Sequence, residues 1–323
     1  MRMLKKLLKR LEVFMVSEMN IGVIGVGYWG SKVAREYLDL AEEGIIDGVG
    51  LCDVNKKSLD KFDSKHVIKK EVEYRRFLKS EEIDGVHIAS NNKYHYEIAK
   101  ESLENGKHVL LEKPMTLNSN RAYELVELSA HNGLILQVGH IFRFANVIRK
   151  TKELVDDKTF GDIYYFTLKW TTLMNPIHEV DIIWDLLPHP LDIIHFITGK
   201  WPKNWQVMAR AYRRDKPSEM TFINLDYEDF IANIELSWVT AERKRLMEII
   251  GSKGMGKIEC VKQELTIFED GEINDVEIEA NNTIREEALN FIESIEKGKM
   301  PFNSHIIGAK NVDIIEAIME DII

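Results

Sequence analysis

Three groups of residues in this sequence carry side chains that could do chemistry at one place. Asp185 and His189 stand four residues apart in Trp184-Asp185-Leu-Leu-Pro188-His189-Pro190-Leu-Asp192. Pro188 and Pro190 are tolerable only in or before a first turn, so the spacing predicts a helix start here. A carboxylate and an imidazole four residues apart share one helical face, where both can reach one substrate. Imidazole exchanges a proton near neutral pH, which suits the loss of a hydroxyl proton. Taken alone, such a pair also serves as a cap or a surface arrangement, and Asp192 reads equally as an orienter of His189 or as a solvated acid. Lys113 precedes Pro114, a position biased to extended backbone. It is therefore aimed from the end of a strand toward the carboxyl edge of a sheet, where ligands bind. An ammonium there can hydrogen-bond a reacting oxygen and stabilise alkoxide charge. An ordinary strand-end surface lysine is the competing reading.

The second group is Ile21-Gly-Val-Ile-Gly25-Val-Gly27-Tyr-Trp-Gly30, a GxGxxG run placed after a strand and before a helix. Gly25 permits the tight turn, Gly27 lets the backbone approach a pyrophosphate, and Gly30 allows close packing of helix on strand. The helix N-terminus then faces the anion. Tyr28 and Trp29 belong to this cofactor-binding turn, with their rings read as solvent-facing. The next strand ends in Asp53, twenty-three residues beyond Gly30, where a carboxylate can accept hydrogen bonds from an adenosine ribose. That carboxylate favours NAD over NADP, because it would repel a 2′-phosphate; Lys56 and Lys57 weaken the exclusion. The competing reading of Asp53 is a loop or N-cap carboxylate ahead of residues 56–63. The third group is Gly139-His140-Ile-Phe-Arg143-Phe144, in which Arg143 either binds a phosphate or carboxylate of the substrate or forms a domain-junction salt bridge.

The elements that must position these residues follow from periodicity. From Asn20 to about Gly139, short β-rich runs (21–25, 49–53, 85–89, 108–111 and 135–138) alternate with helical patterns (31–43, 95–105 and 119–132), the signature of a parallel sheet covered by helices. After Phe144 a helical stretch at 146–155 gives way to strands at 162–171, 205–213, 221–227, 230–238 and 246–251, with turn-like breaks at 227–230 and 251–254. This predicts an antiparallel sheet with one face solvated or paired with another subunit. Helices return at 283–297 and 305–321. The expected fold is thus an α/β Rossmann domain with a parallel sheet over 19–143. An α+β domain with a large, mostly antiparallel open sheet follows over 144–323, its last helix packing back on the first domain. Residues 1–18 read as an appended basic amphipathic helix or an over-long start, with membrane-surface binding as the rival.

Composition narrows the classes. A chain of 323 residues with 45% apolar content can bury two cores. No apolar run approaches the roughly 18 residues that span a bilayer, and no secretory signal is evident. The net charge of -10 is spread along the chain and disfavours a nucleic-acid partner. Cys52 and Cys260 lack metal spacing and suit a reducing, cytoplasmic compartment, and the remaining histidines show no metal-ligand grouping, so no metal is expected.

The run Val86-His-Ile-Ala-Ser90-Asn-Asn92-Lys-Tyr-His95, continuing to Gly106-Lys-His-Val-Leu-Leu-Glu112-Lys113-Pro114, closely resembles the Gfo/Idh/MocA (glucose-fructose oxidoreductase/inositol dehydrogenase) family. It joins an ATPNxxH-like strand end, with Asn91 in place of the proline, to an EKP motif on the following strand. The resemblance covers nearly everything from Asn20 onward. It implies cofactor contacts at Ser90, Asn92, His95, Glu112 and Lys113, with Lys113 beside the nicotinamide. The DxxxH pattern of the family makes His189 the general base and Asp185 a substrate-orienting group. The segment at 139–144 is similar to the GHxxRF segment of members acting on nucleotide-linked sugars, UDP-N-acetylglucosamine 3-dehydrogenases among them, which places His140 and Arg143 with the substrate; Ala145 and Asn146 stand where those members carry Asn and Pro. The function implied is NAD-dependent hydride transfer at a secondary alcohol of a sugar or nucleotide sugar, carbon 3 of a UDP-linked amino sugar being the specific expectation. The alternatives are a dehydrogenase of a cyclitol, free aldose or diketo compound, and a non-catalytic NAD-binding sensor. A homodimer or homotetramer through the C-terminal sheet completes the expectation.

Overall fold

The computed structural model describes residues 19–175, 180–213 and 218–322, so the helix expected over residues 1–18 lies outside the described residues. Two compact units result. One takes the chain up to Leu111 together with Leu128–Leu136 and Ala288–Pro301; the other takes Glu112–Glu127, Gln137–Glu287 and Phe302–Ile323. Lys113, His140, Arg143, Asp185 and His189 all fall in the second, and the glycine turn and Asp53 in the first.

A six-stranded sheet is built from β1 (Asn20–Ile24), β2 (Gly48–Cys52), β3 (Val67–Glu71), β4 (Gly85–Ile88), β5 (His108–Glu112) and β6 (Leu136–Gly139), in the order β3-β2-β1-β4-β5-β6. β1 pairs in parallel with β2 and β4, β2 with β3, and β4 with β5. The chain order reverses between β1 and β4, the switch point at which open α/β sheets bind ligands. β2 and β4 are buried at every residue, which is why neither shows polar/apolar alternation with a solvent face, His87 being the one polar side chain. The helices are α1 (Gly30–Glu42), the short α2 (Lys56–Leu59) and α3 (Tyr74–Leu78), α4 (His95–Glu104) and α5 (Ser119–Asn132). β3 was not foreseen. Its residues Val-Ile-Lys-Lys-Glu are nowhere fully buried, as suits the sheet edge.

The second unit holds α6 (Asn146–Asp156), α7 (Ile182–Leu186), α8 (Pro188–Thr198) and an eight-stranded sheet. Its strands are β7 (Ile163–Leu173), β8 (Asn204–Arg210), β9 (Met220–Asp226), β10 (Ile231–Ser237), β11 (Val239–Gly251), β12 (Gly254–Glu259), β13 (Glu264–Glu269) and β14 (Glu272–Val276). They are ordered β14-β13-β12-β11-β7-β10-β9-β8. β7 pairs in parallel with β10, and every other described pairing in the sheet is antiparallel. One face is apolar and buried, with Phe166, Leu168, Trp170, Ile234, Leu236, Met247 and Ile249. On the other face Met208, Phe222 and Ile231 stay open, at 69%, 41% and 55% exposure. Helices α9 (Thr283–Lys297) and α10 (His305–Glu320) close the chain.

The helix expected to start near Asp185 is in fact two. Asp181 caps α7 by accepting the Ile183 amide at 3.0 Å. Pro188 has no N–H to continue the ladder, so α7 ends and α8 begins with the proline in its first turn. Leu187 at the joint keeps helical dihedrals, φ -61° and ψ -29°. Asp185 therefore sits in the last turn of α7 and His189 in the first turn of α8.

Candidate active site

The turn between β1 and α1 is shaped by three glycines for two different reasons. Gly25 has φ +90°, and a Cβ on it would lie 2.8 Å from the Ala89 backbone; a Cβ on Gly30 would collide with the Gly25 carbonyl oxygen. Protein packing alone dictates these two. A Cβ on Gly27 would meet nothing within 4 Å, so no protein atom requires glycine there. No side chain caps α1, and its first turn carries no acid. An open glycine below an uncapped helix N-terminus fits a pyrophosphate. Asp53 fixes the turn: one carboxylate oxygen accepts the Val26 amide at 2.8 Å and the other the Asn55 amide at 2.8 Å. Asn55, not Asp53, caps α2. Tyr28 is 83% exposed, as its ring was expected to be. Ser90 and Asn92 lie beyond β4, and the buried His95 supports that loop, its Nε2 3.1 Å from the Ser90 carbonyl oxygen.

In the second unit Lys113 and the α7–α8 joint meet. The Lys113 ammonium donates to the Asp185 carbonyl oxygen at 2.8 Å and lies 3.4 Å from Asp185 Oδ1. Trp238 Nε1 donates to Asp185 Oδ2 at 3.2 Å, so both carboxylate oxygens are held. The Lys113–Pro114 peptide is cis. His189 packs its ring edge-to-face on Phe142 at 5.0 Å, and Phe142 packs likewise on Trp170 at 5.6 Å. Burial first, then the Lys113 charge, hold the His189 imidazole well below its ordinary pKa, so it is neutral at pH 7. Its Nδ1 is buried without a partner. The Lys113 charge thus acts on the His189 ring.

Behind them lies a buried polar layer. Arg143 and Asp192 form an ion pair with both side chains almost fully enclosed, Nε and Nη2 each 2.7 Å from Asp192 Oδ1. Arg143 Nη2 also donates to His195 Nδ1 at 3.0 Å. Asp192 thus neither orients His189 nor is solvated, as the sequence had suggested; Arg143 claims it, because a buried guanidinium demands a counter-ion. His195 stacks on Trp201 at 4.1 Å, and burial, then the Arg143 charge, push its pKa down to about 4. His140 is buried with neither ring nitrogen partnered, and burial lowers its pKa. Glu287 was missed from the sequence. Its Oε1 accepts from Asn303 Nδ2 at 2.9 Å, and burial, then the charge of Glu112, raise its pKa well above the usual carboxylate range. Gly139 admits Glu112 to this layer, since a Cβ there would stand 2.8 Å from Glu112 Oε2. Among the described residues no group of three or more His, Cys, Asp or Glu side chains could hold a metal ion, and no helix is long and apolar enough to cross a membrane.

A parallel sheet with a nucleotide-fitting glycine turn, in a chain that also carries a Lys/Asp/His cluster and a large open sheet, is the make-up of an NAD(P)-dependent oxidoreductase. Residues 19–140 match the oxidoreductase family with the NAD-binding Rossmann fold, and residues 148–257 match the GFO/IDH/MocA C-terminal domain. The chain belongs to the Gfo/Idh/MocA family. It is 26% identical over 258 residues to UDP-N-acetylglucosamine 3-dehydrogenase of Acidithiobacillus ferrooxidans, 78% of each chain being covered. The solved structure of that organism's UDP-N-acetylglucosamine 3-dehydrogenase GnnA superposes with a TM-score of 0.80 at 23% identity, covering 93% of this chain and 96% of that one. An oxidoreductase from Agrobacterium radiobacter, solved with NAD+, L-tartaric acid and magnesium, superposes with a TM-score of 0.82 at 18% identity, over 94% of this chain and 96% of its own.

Proposed function

We propose that this protein is an NAD-dependent dehydrogenase of a secondary alcohol on a sugar, with carbon 3 of a UDP-linked amino sugar as the reacting centre. The single observation that supports the reading is that the Lys113 ammonium, bonded to Asp185, also acts electrostatically on the neutral His189 imidazole. NAD, held by Gly25, Gly27, Gly30 and Asp53, with Tyr28, Trp29, Ser90, Asn92 and Glu112 around it, supplies the hydride acceptor. Lys113 donates a hydrogen bond to the carbinol oxygen and stabilises its negative charge. His189, uncharged, accepts the hydroxyl proton. Asp185 is held at both oxygens and orients a neighbouring hydroxyl. His140 and Arg143 back the substrate pocket, Arg143 through its pair with Asp192. The nucleotide-sugar assignment is supported by the relative of A. ferrooxidans named as a UDP-N-acetylglucosamine 3-dehydrogenase.

NAD is preferred to NADP because Asp53 presents a carboxylate at the end of β2. The two cysteines are free and buried, as suits a reducing cytoplasm. The open sheet face with Met208, Phe222 and Ile231 is the surface through which copies would associate, as a homodimer or homotetramer. The test is NAD reduction on UDP-N-acetylglucosamine, alongside free aldoses and cyclitols. Turnover is expected on the nucleotide sugar, and its loss in both Lys113→Ala and His189→Ala. Wild-type rates in both variants would refute the mechanism.

A further inference from the structure

Arg245 on β11 is a cation that the sequence did not single out. It stands on the rung opposite Trp170 of β7, on the buried face of the sheet. Its guanidinium lies 5.9 Å from the Trp170 ring centre, and Trp170 leads through Phe142 to His189. One nitrogen, Nη1, is fixed by donating to the Thr171 carbonyl at 2.9 Å and the Lys244 carbonyl at 2.7 Å. Nε and Nη2 make no hydrogen bond to any described residue, and no acid among those residues pairs with Arg245. The side chain is only half-exposed. The two carboxylates whose charge acts on Arg245 have other partners: Asp185 is held by Lys113 and Trp238, and Glu259 accepts the Lys262 amide. Arg243, exposed two residues earlier on the same strand, adds positive charge rather than cancelling it. Burial, then the Arg243 charge, pull the Arg245 guanidinium down to about 10, so it stays charged at neutral pH.

None of the described acids forms an ion pair with Arg245. A partly desolvated cation without one is costly unless a ligand completes it. The remaining Nε/Nη2 edge is a planar fork that matches two oxygens of a carboxylate or phosphoryl group. We propose that Arg245 is a specificity-determining residue that binds an oxyanion carried by the substrate, a phosphate ester or a carboxylate, beside Asp185 and His189. The assignment rests on reading those residues as the site of a sugar dehydrogenase. It favours charged sugar derivatives over neutral sugars.

Isothermal titration of the full chain, with NAD saturating so that the glycine turn is filled, separates the cases. The probes are glucose 1-phosphate, glucuronate and glucose. At least one anionic probe is expected to bind ten-fold or more tightly than glucose, and Arg245→Gln should erase that advantage while leaving glucose binding unchanged; which anion binds distinguishes phosphate from carboxylate. An advantage that survives R245Q, or no advantage in the wild type, overturns the proposal. Should R245Q fail to fold, Arg245→Lys keeps the charge but loses the fork and should weaken only the anionic probes, by three-fold or more; anionic affinities unchanged from the wild type would also overturn it. An anion advantage that depends on Arg245, in a protein that reduces NAD on no sugar derivative, supports the subsite and refutes the dehydrogenase reading instead.

Discussion

The Lys113 ammonium reaches the Asp185 carbonyl oxygen at 2.8 Å while its distance to the Asp185 carboxylate is 3.4 Å, so backbone and side chain of one residue hold the lysine together. The break in helix at Pro188 puts Asp185 in a terminal turn, where carbonyl groups are free to accept from outside the ladder. Lys113→Ala removes the donor proposed for the reacting oxygen and leaves the glycine turn unaltered. Turnover should fall by about 10²- to 10⁴-fold, with NAD affinity changed less than about three-fold. Steady-state kinetics with fluorescence titration of NADH measures both, and a parallel loss of cofactor affinity would show that Lys113 acts on binding.

His189 is neutral in the resting protein, and the sign of its pH dependence follows. Its pKa lies well below 6.5, so alcohol oxidation should hold its rate as pH falls through 6.5 and decline only below that. Lys113 is the second cause of the shift after burial. Lys113→Met removes a positive neighbour and should raise the His189 pKa, read from its ring resonances by NMR. An unmoved titration would mean that the two groups are not electrostatically linked.

Gly27 and Gly30 look equivalent in sequence but not in space. Gly30→Ala meets the Gly25 carbonyl and should cost about 2 kcal/mol or more in chemical denaturation. Gly27→Ala meets no protein atom, so stability should stay within about 0.5 kcal/mol while NAD affinity falls at least ten-fold. Equal NAD affinity in Gly27→Ala would move the pyrophosphate elsewhere.

The contrast also marks what the sequence could tell. The glycine turn and Asp53 could be proposed from short spacing along the chain, whereas Lys113 and the Asp185/His189 pair rested on the family resemblance. β3 was not, because its Lys-Lys-Glu edge carries no apolar alternation. β12 to β14 were missed since short strands with several charged residues resemble loops until their partners are known. Trp238, Arg245 and Glu287 reach the site from β10's end, β11 and α9, and nothing local distinguishes them. Asp192 was misread for the same reason: its partner Arg143 is 49 residues away.

Glu287 offers a test of the buried layer. Its pKa is raised above the ordinary 4.5, so the ionised form is the disfavoured one, and the fold should lose stability as pH rises from 4.5 toward the folded-state pKa. Each unit of separation corresponds to about 1.4 kcal/mol. Glu287→Gln keeps the shape and removes the titration, so it should be as stable as wild type at pH 5 and more stable at pH 8. Denaturant midpoints at the two values decide this. Reduced stability of Glu287→Gln at both would show that the carboxylate is required.

The Arg143–Asp192 pair should behave as a coupled unit. Removing either partner strands the other in a buried site, so Arg143→Met and Asp192→Leu should each cost about 3–5 kcal/mol. The double variant leaves no stranded charge, and its cost should fall short of the sum by about 2 kcal/mol or more. His195 adds a pH signature to the same network, because it accepts from Arg143 through Nδ1 and must be unprotonated there. With a folded-state value of about 4 against 6.5, its contribution is complete above pH 6.5 and is lost as pH falls through 4. His195→Gln should flatten the stability profile between those limits. Additive single variants, or a profile unchanged in His195→Gln, would dissolve the network into separate surface-like contacts.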